Sequence, residues 1–254
     1  MKKKSLLIGM AALIFPMTMM GQYTIYPVPH TQTAGTGTVS FTNIVNVVCD
    51  NGIDEATRNR VKDIFAAHNV TVNFSDAASS TESNVYLGVN GANGQGNAMA
   101  TQLGLSTDVL TKEGKFDRHI LSLTDGGNGT AQLLVLGENT DATFFGLASL
   151  EQMLDNGTEG LATVTINDYA DLKERGVIEG FYGKPYAGEV RQDLLRFMMR
   201  YKMNCYVYGP KSDYYHSGKW SEPYPTKLTD QQKKSGYVSQ QDLKDFTSVA
   251  HDTK

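Results

Sequence analysis

Residues 175 to 186 read RGVIEGFYGKPY, a short apolar run leading into Glu179, with Gly180 and Gly183 flanking Phe181 and Tyr182. These are the residue types that wall a sugar pocket. Glycine lets a ligand approach the backbone closely, and a tyrosine offers a ring face or a hydroxyl. A second cluster follows at Gly209-Pro210-Lys211-Ser212-Asp213, where the Lys211 ammonium has three protons to donate to sugar hydroxyls. Each cluster ends a strand-like run, GVIEG in the first case and CYVYGP (205–210) in the second. Between them GEVRQDLLRFMMRYKMN (188–204) reads as a helix with Val190, Leu194, Phe197, Met198 and Tyr201 on one side. Strand, helix and strand in such succession form a βαβ unit with parallel pairing. In parallel α/β architectures the chemistry gathers at the C-terminal strand ends, so the two clusters are expected side by side.

The carboxylates near these clusters have two readings each. Glu179 is either a catalytic group or a structural carboxylate in the wall, and its place one residue before Gly180 favours the second. Asp213 reads as a loop-capping or lysine-pairing acid. Asp242 and Asp245 fall on the polar face of a helix and read as solvated. Met198, Met199 and Met203 belong to helix core or edge. Trp220, the only tryptophan, either stacks on a sugar or packs its own polar loop, and its position favours packing. The histidines at 30, 68, 119, 216 and 251 show no ligand spacing, so no metal or cofactor is called for. Cys49 and Cys205 each sit in a strand of a different unit and read as free, apolar-type thiols. The glycine run NGANGQG (90–96) lacks the lysine and the serine or threonine of a phosphate loop, and reads as a surface turn.

Taken in order, RGVIEGFYGKPY, YKMNCYVYGPKSDYYH and KWSEPYP resemble the start of the catalytic barrel of glycoside hydrolase family 84, the β-N-acetylglucosaminidases that include O-GlcNAcases and bacterial enzymes labelled hyaluronidases. Upstream, FDRHILSL, ENTDATFFGLASLEQML and TINDYADLKERG resemble the small α/β domain that precedes the barrel in that family and in its hexosaminidase relatives. The resemblance implies that the backbone at Gly180 faces the sugar, that Lys211 binds substrate hydroxyls, and that Tyr182 lines the pocket. Three positions depart from the family pattern: Ser212 in place of aspartate, Tyr186 in place of tryptophan, and Tyr214 in place of proline. The resemblance also implies substrate-assisted retaining hydrolysis, in which the sugar's own N-acetyl oxygen is the nucleophile, outside the usual two-carboxylate scheme. One aspartate of an adjacent pair would orient the acetamido group while the other served as acid and base. No Asp-Asp pair occurs in this sequence. It is expected beyond Lys254, leaving no catalytic residue in this chain.

Positioning these clusters requires a scaffold, and the upstream sequence supplies one. IVNVVC (44–49) is a β-branched strand closed by DNG, and 54–69 is a helix with Val61, Ile64, Phe65 and His68 on one face. VTVNF (70–74) and VYLGV (85–89) read as strands, and HILSLT (119–124) with AQLLVLG (131–137) as a hairpin. A helix over 140–157, capped by Thr140 or Asp141, buries Phe144, Leu147, Leu150 (or Phe145) and Leu154, and ATVTIND (162–168) is a last strand. SQQDLKDFTSVAHDTK opens with an S-x-x-D capping pattern at Ser239 and Asp242. The fold class is therefore α/β: a small hexosaminidase-type domain over 22–170, then over 171–254 the first β-α-β-α part of a (β/α)8 barrel. Two strands cannot bury both faces of a sheet, so that barrel is incomplete.

Residues 1–21 read as a secretory signal, with MKKK as its basic start and LLIGMAALIFPMTMM as its apolar run. The run falls short of the roughly 20 residues of a membrane span. A retained anchor is the alternative, and export to the periplasm, cell surface or medium is favoured. The net charge of −4, with no basic run outside the leader, gives no footprint for nucleic acid. Glycans or glycoproteins bearing N-acetylglucosamine are the expected partners. Two other functions remain open: a non-catalytic carbohydrate-binding or interaction protein, and a hexosaminidase of another family.

Overall fold

The computed structural model describes residues 23–180, 184–209, 213–219 and 221–254. The leader 1–21 lies outside them. The first unit is a seven-stranded mixed sheet. Its strands are β1 (Thr31–Val39), β2 (Ile44–Cys49), β3 (Thr71–Phe74), β4 (Ser83–Val89), β5 (Phe116–Asp125), β6 (Ala131–Gly137) and β7 (Leu161–Ala170). They lie in the order β1-β7-β5-β6-β4-β2-β3. Strands β3, β2, β4 and β6 run parallel, while β6-β5-β7-β1 are antiparallel neighbours.

The parallel half is covered on both faces, which explains the continuous apolar runs of β2 and β4. One face carries α1 (Glu55–Ala66) and α3 (Thr140–Met153), with Val61, Ile64, Phe65, Leu147 and Leu150 in its core. The other carries α2 (Gln95–Gln102), whose Met99 and Ala100 pack with Val48, Tyr86, Ile120 and Leu134. Helix α1 is capped by Asp54, whose Oδ1 accepts a hydrogen bond from the Thr57 amide at 3.0 Å. Helix α3 is capped by Asn139, one residue before the expected Thr140 or Asp141, through its Oδ1 and the Ala142 amide at 2.8 Å. It is buried nearly all round rather than along one stripe, because it lies between the sheet and two other helices.

Helix α2 starts inside the glycine run read as a turn. Asp50, itself buried, accepts hydrogen bonds from the Val89 amide at 3.2 Å and the Gly96 amide at 3.3 Å. A Cβ at Gly94 would fall 2.0 Å from Asp50 Oδ1, so glycine is required there. The protein's own carboxylate thus occupies the position a phosphate would take at this helix start.

The second unit contains β8 (Gly176–Ile178), α4 (Gly188–Arg200), β9 (Cys205–Val207), two short helices α5 (Tyr214–Ser217) and α6 (Asp230–Lys234), and α7 (Gln240–Thr253). β8 and β9 pair in parallel, Gly176 opposite Cys205 and Ile178 opposite Val207. Among the described residues these two strands form a separate sheet and no closed barrel. Helix α4 is rotated from the face its apolar residues predict, with Met198 common to the two. Arg191, Leu195 and Met198 are buried, whereas Val190 and Phe197 are half exposed, at 51% and 50%. Helix α7 opens with the predicted capping box between Ser239 and Asp242. Both cysteines are free thiols.

Candidate functional site

The site is organised by the ends of β8 and β9. Their parallel register places Glu179-Gly180 beside Tyr208-Gly209, and the Glu179 amide donates to the Val207 carbonyl at 2.9 Å. Gly180 is exposed at this edge. A Cβ at Gly209 would meet nothing within 4 Å, so the space beside that strand end is open. Tyr182 and Lys211 lie outside the described residues, as do Phe181, Gly183, Ser212 and Trp220.

Glu179, by contrast, is only 2% exposed, and both of its oxygens are occupied. Oε1 accepts from the Tyr186 amide at 2.7 Å and from Arg191 Nη2 at 3.0 Å. Oε2 accepts from Arg191 Nε at 2.8 Å and from the Tyr206 hydroxyl at 2.6 Å. Burial by itself raises a carboxyl's pKa, but here the Arg191, Tyr206 and backbone donors outweigh it and hold Glu179 below the usual range. The group is an ionised, fully bonded carboxylate that ties the end of β8 to Tyr186, to Arg191 of α4 and to Tyr206 of β9.

Asp213 plays the same part for the second cluster. It is fully buried and caps α5 through the Tyr215 amide at 3.1 Å, while Tyr224 donates to its Oδ2 at 2.9 Å and Tyr208 donates to the same oxygen. Burial raises the pKa of both tyrosines and the adjoining carboxylate raises it further, so they remain protonated donors. Around them the rings of Tyr214 and Tyr237 stack at 5.6 Å, and Tyr215 packs on Tyr224. Asp242 is engaged in its capping box, and Asp245 accepts from Gln241.

Sequence reasoning passed over Arg191, Tyr206, Tyr208 and Tyr224. Arg191 carried a signal, since with Leu195 and Met198 it forms a second stripe at i, i+4 and i+7. A polar cluster at the junction of the two units was also missed. Lys202 Nζ donates to Asp168 Oδ2 at 2.7 Å and to Ser149 Oγ at 2.8 Å, and His30 Nδ1 lies 3.1 Å from Asp168 Oδ1. His119 Nδ1 bonds the Asp117 carbonyl at 2.7 Å, and its buried Nε2 has no hydrogen-bond partner. These residues are too far apart in sequence for spacing to reveal them.

A small α/β domain leading into parallel strand–helix units, with a glutamate-glycine loop at a strand end, is the architecture of hexosaminidase-type glycoside hydrolases. Residues 22–169 match the domain described as glycosyl hydrolase family 20, domain 2, and residues 175–247 match the family described as beta-N-acetylglucosaminidase. The rat protein called protein O-GlcNAcase is 43% identical over 56 residues, which are 22% of this chain and 6% of the rat one. The solved structure of CpGH84D superimposes over 92% of this chain with a TM-score of 0.77 and 32% identity, and that of CpGH84B over 92% with a TM-score of 0.70 and 27% identity. The chain spans 36% of the length of each of those two structures. The chain belongs to glycoside hydrolase family 84, and it matches the N-terminal region of that family's members.

Proposed function

We propose that this chain supplies the first wall of the sugar pocket in an exported enzyme that removes terminal β-linked N-acetylglucosamine from glycoconjugates with retention of configuration. The observation that carries the reading is the pairing of a locked Glu179 with an exposed Gly180 at the C-terminal end of β8. Such an edge presents backbone to a ligand and offers no free carboxylate for proton transfer. In this reading Gly180, Tyr182 and Lys211 bind the sugar, and the acetamido oxygen of the substrate is the nucleophile. The sequence has no adjacent aspartate pair, so the chain by itself binds the sugar weakly and does not turn it over. Residues 1–21 act as the export signal, giving a mature protein outside the cytoplasm. The described residues contain no helix long and apolar enough to cross a membrane.

Two assays on the chain test this. Titration with N-acetylglucosamine followed by NMR is expected to shift resonances around Gly180 and Gly209, with the shifts lost in Lys211→Ala. Incubation with an aryl N-acetyl-β-glucosaminide is expected to release no aryl alcohol. Shifts that survive Lys211→Ala would remove that residue from the pocket, and hydrolysis by the purified chain would overturn the assignment of the carboxylates.

A further inference from the structure

A groove of about 590 Å³ opens next to the Glu179 loop. One wall is the segment Lys184–Gly188, and the other comes from residues 226–228, 233–234 and 236–239. Four lysines line it, Lys184, Lys227, Lys233 and Lys234, and all are exposed. Among the described residues none of the four makes an ion pair, whereas Lys115, Lys202, Lys219 and Lys254 each pair with a carboxylate. Of the two other charged side chains of the groove, Arg191 is paired with Glu179, while Asp242 accepts only from the uncharged Ser239 amide and hydroxyl. Four ammonium groups thus face one carboxylate, which leaves the groove basic on a chain whose net charge is −4.

The groove is also built, at least on one side. Lys184 Nζ donates to the Lys234 carbonyl at 2.8 Å, and Gly236, at φ +78°, lets the Lys184 stem approach so closely that an added Cβ would lie 3.1 Å from it. Glu179 links the groove to the sugar edge. Tyr186 and Arg191, which line the groove, are two of the three residues that bond the Glu179 carboxylate, and Gly180 follows it in the chain. Clustered ammonium groups raise the local concentration of anions and hold them in a salt-dependent way.

We propose that this groove is a subsite for an acidic sugar, bearing a carboxylate or a sulfate ester, that adjoins the terminal N-acetylglucosamine. The assignment rests on the sugar-pocket reading above and adds a substrate class to it. The test is binding of three disaccharides to the chain at low and at physiological salt: N-acetylglucosamine β-linked to galactose, to galactose 6-sulfate, and to glucuronate. At least one acidic disaccharide is expected to bind about five- to tenfold more tightly than the neutral one at low salt. That advantage shrinks as salt rises and vanishes in the triple variant K227Q/K233Q/K234Q, whose circular dichroism and melting stay those of the parent because the three side chains are exposed. A preference for sulfate over carboxylate, or the reverse, supports the subsite and names its acid. Equal binding of all three disaccharides, or an acid preference that survives the triple substitution, overturns it while leaving the sugar pocket standing. If galactose 6-sulfate alone binds as tightly as the sulfated disaccharide, and still depends on the lysines, the groove is an anion site and the sugar-pocket reading falls instead.

Discussion

Four donors reach the two oxygens of Glu179, and two of them belong to Arg191, which is 1% exposed. A buried pair of this kind adds little net stability over an apolar pair, but removing one partner strands the other charge at a cost of about 3–5 kcal/mol. Glu179→Gln is therefore expected to lower the unfolding free energy by several kcal/mol in urea, and the double variant E179Q/R191M to lose less than the sum of the two single changes. Additive losses would show that the two side chains do not act as a unit. A second residue-scale prediction concerns acid. Burial, reinforced by the Lys202 ammonium and opposed by Asp168, pushes the His119 pKa down to about 4. An unfolded chain takes up this proton near pH 6.5, so the unfolded state binds more protons between about 6.5 and 4. Stability is then complete above pH 6.5 and falls with acidification through that window, by up to about 1.4 kcal/mol per unit. Asp168 continues the trend. Lys202 and the histidines overcome its burial and lower its pKa to about 2, so its contribution is present above pH 4 and fades below. Urea unfolding of the parent at pH 7 and pH 4.5 should show the loss, and His119→Gln, which cannot titrate, should show a smaller one.

At the scale of elements, β4 and α2 meet through a close contact between two glycines. The Cα atoms of Gly88 and Gly96 approach so closely that a Cβ on either would stand 2.7 Å from the other. Gly96→Ala has no room to relax into backbone and is expected to destabilise by about 1–3 kcal/mol, while Gly91→Ala, whose added Cβ meets nothing, carries only the strain of its φ of +80°. A Gly96→Ala protein as stable as the parent would mean that α2 slides away from the sheet freely. The same contact explains why α2 was not legible: its helix is specified by a glycine fit against β4 and by the Asp50 carboxylate, not by an apolar period. β1 was missed for a related reason, since TQTAGTGTV is a largely exposed edge strand with no apolar face to alternate. The buried elements were readable because burial writes itself into composition, as in IVNVVC, which forms β2 to the residue. Helix α4 was found, but it is rotated so that only Met198 of its expected inner face is fully buried. Val190 and Phe197 look like core, yet Arg191 takes the inner position because Glu179 is there to receive it. Of the site, the parallel pairing of β8 with β9 was legible from the strand-helix-strand pattern, whereas the tyrosine and arginine partners of Glu179 and Asp213 depend on tertiary approach.

For the molecule as a whole, the two units differ in what supports them. Both apolar cores lie entirely within residues 25–166, and the second unit adds only Leu195, Met198 and Val238 as fully buried apolar side chains among the described residues. Its attachment is polar. Arg60 of α1 donates to the Met199 carbonyl at 3.1 Å, Arg200 pairs with Glu151 at 3.0 Å and with Asp155 at 2.7 Å, and Lys202 reaches Asp168. A two-stranded sheet without a core of its own is marginal in water, so this unit borrows its order from the first one across those contacts. Residues 22–170 expressed alone should unfold in one cooperative urea transition, and residues 171–254 alone should show none. In the whole chain Lys202→Met leaves the Asp168 carboxylate buried without its cation. It should increase amide hydrogen exchange throughout α4 and β9 by tenfold or more, while β2, β4 and β6 keep the protection set by their own core. Cooperative folding of 171–254 by itself would show that this unit needs no support from the first, and uniform loss of protection in Lys202→Met would make the division at residue 170 a boundary in sequence only.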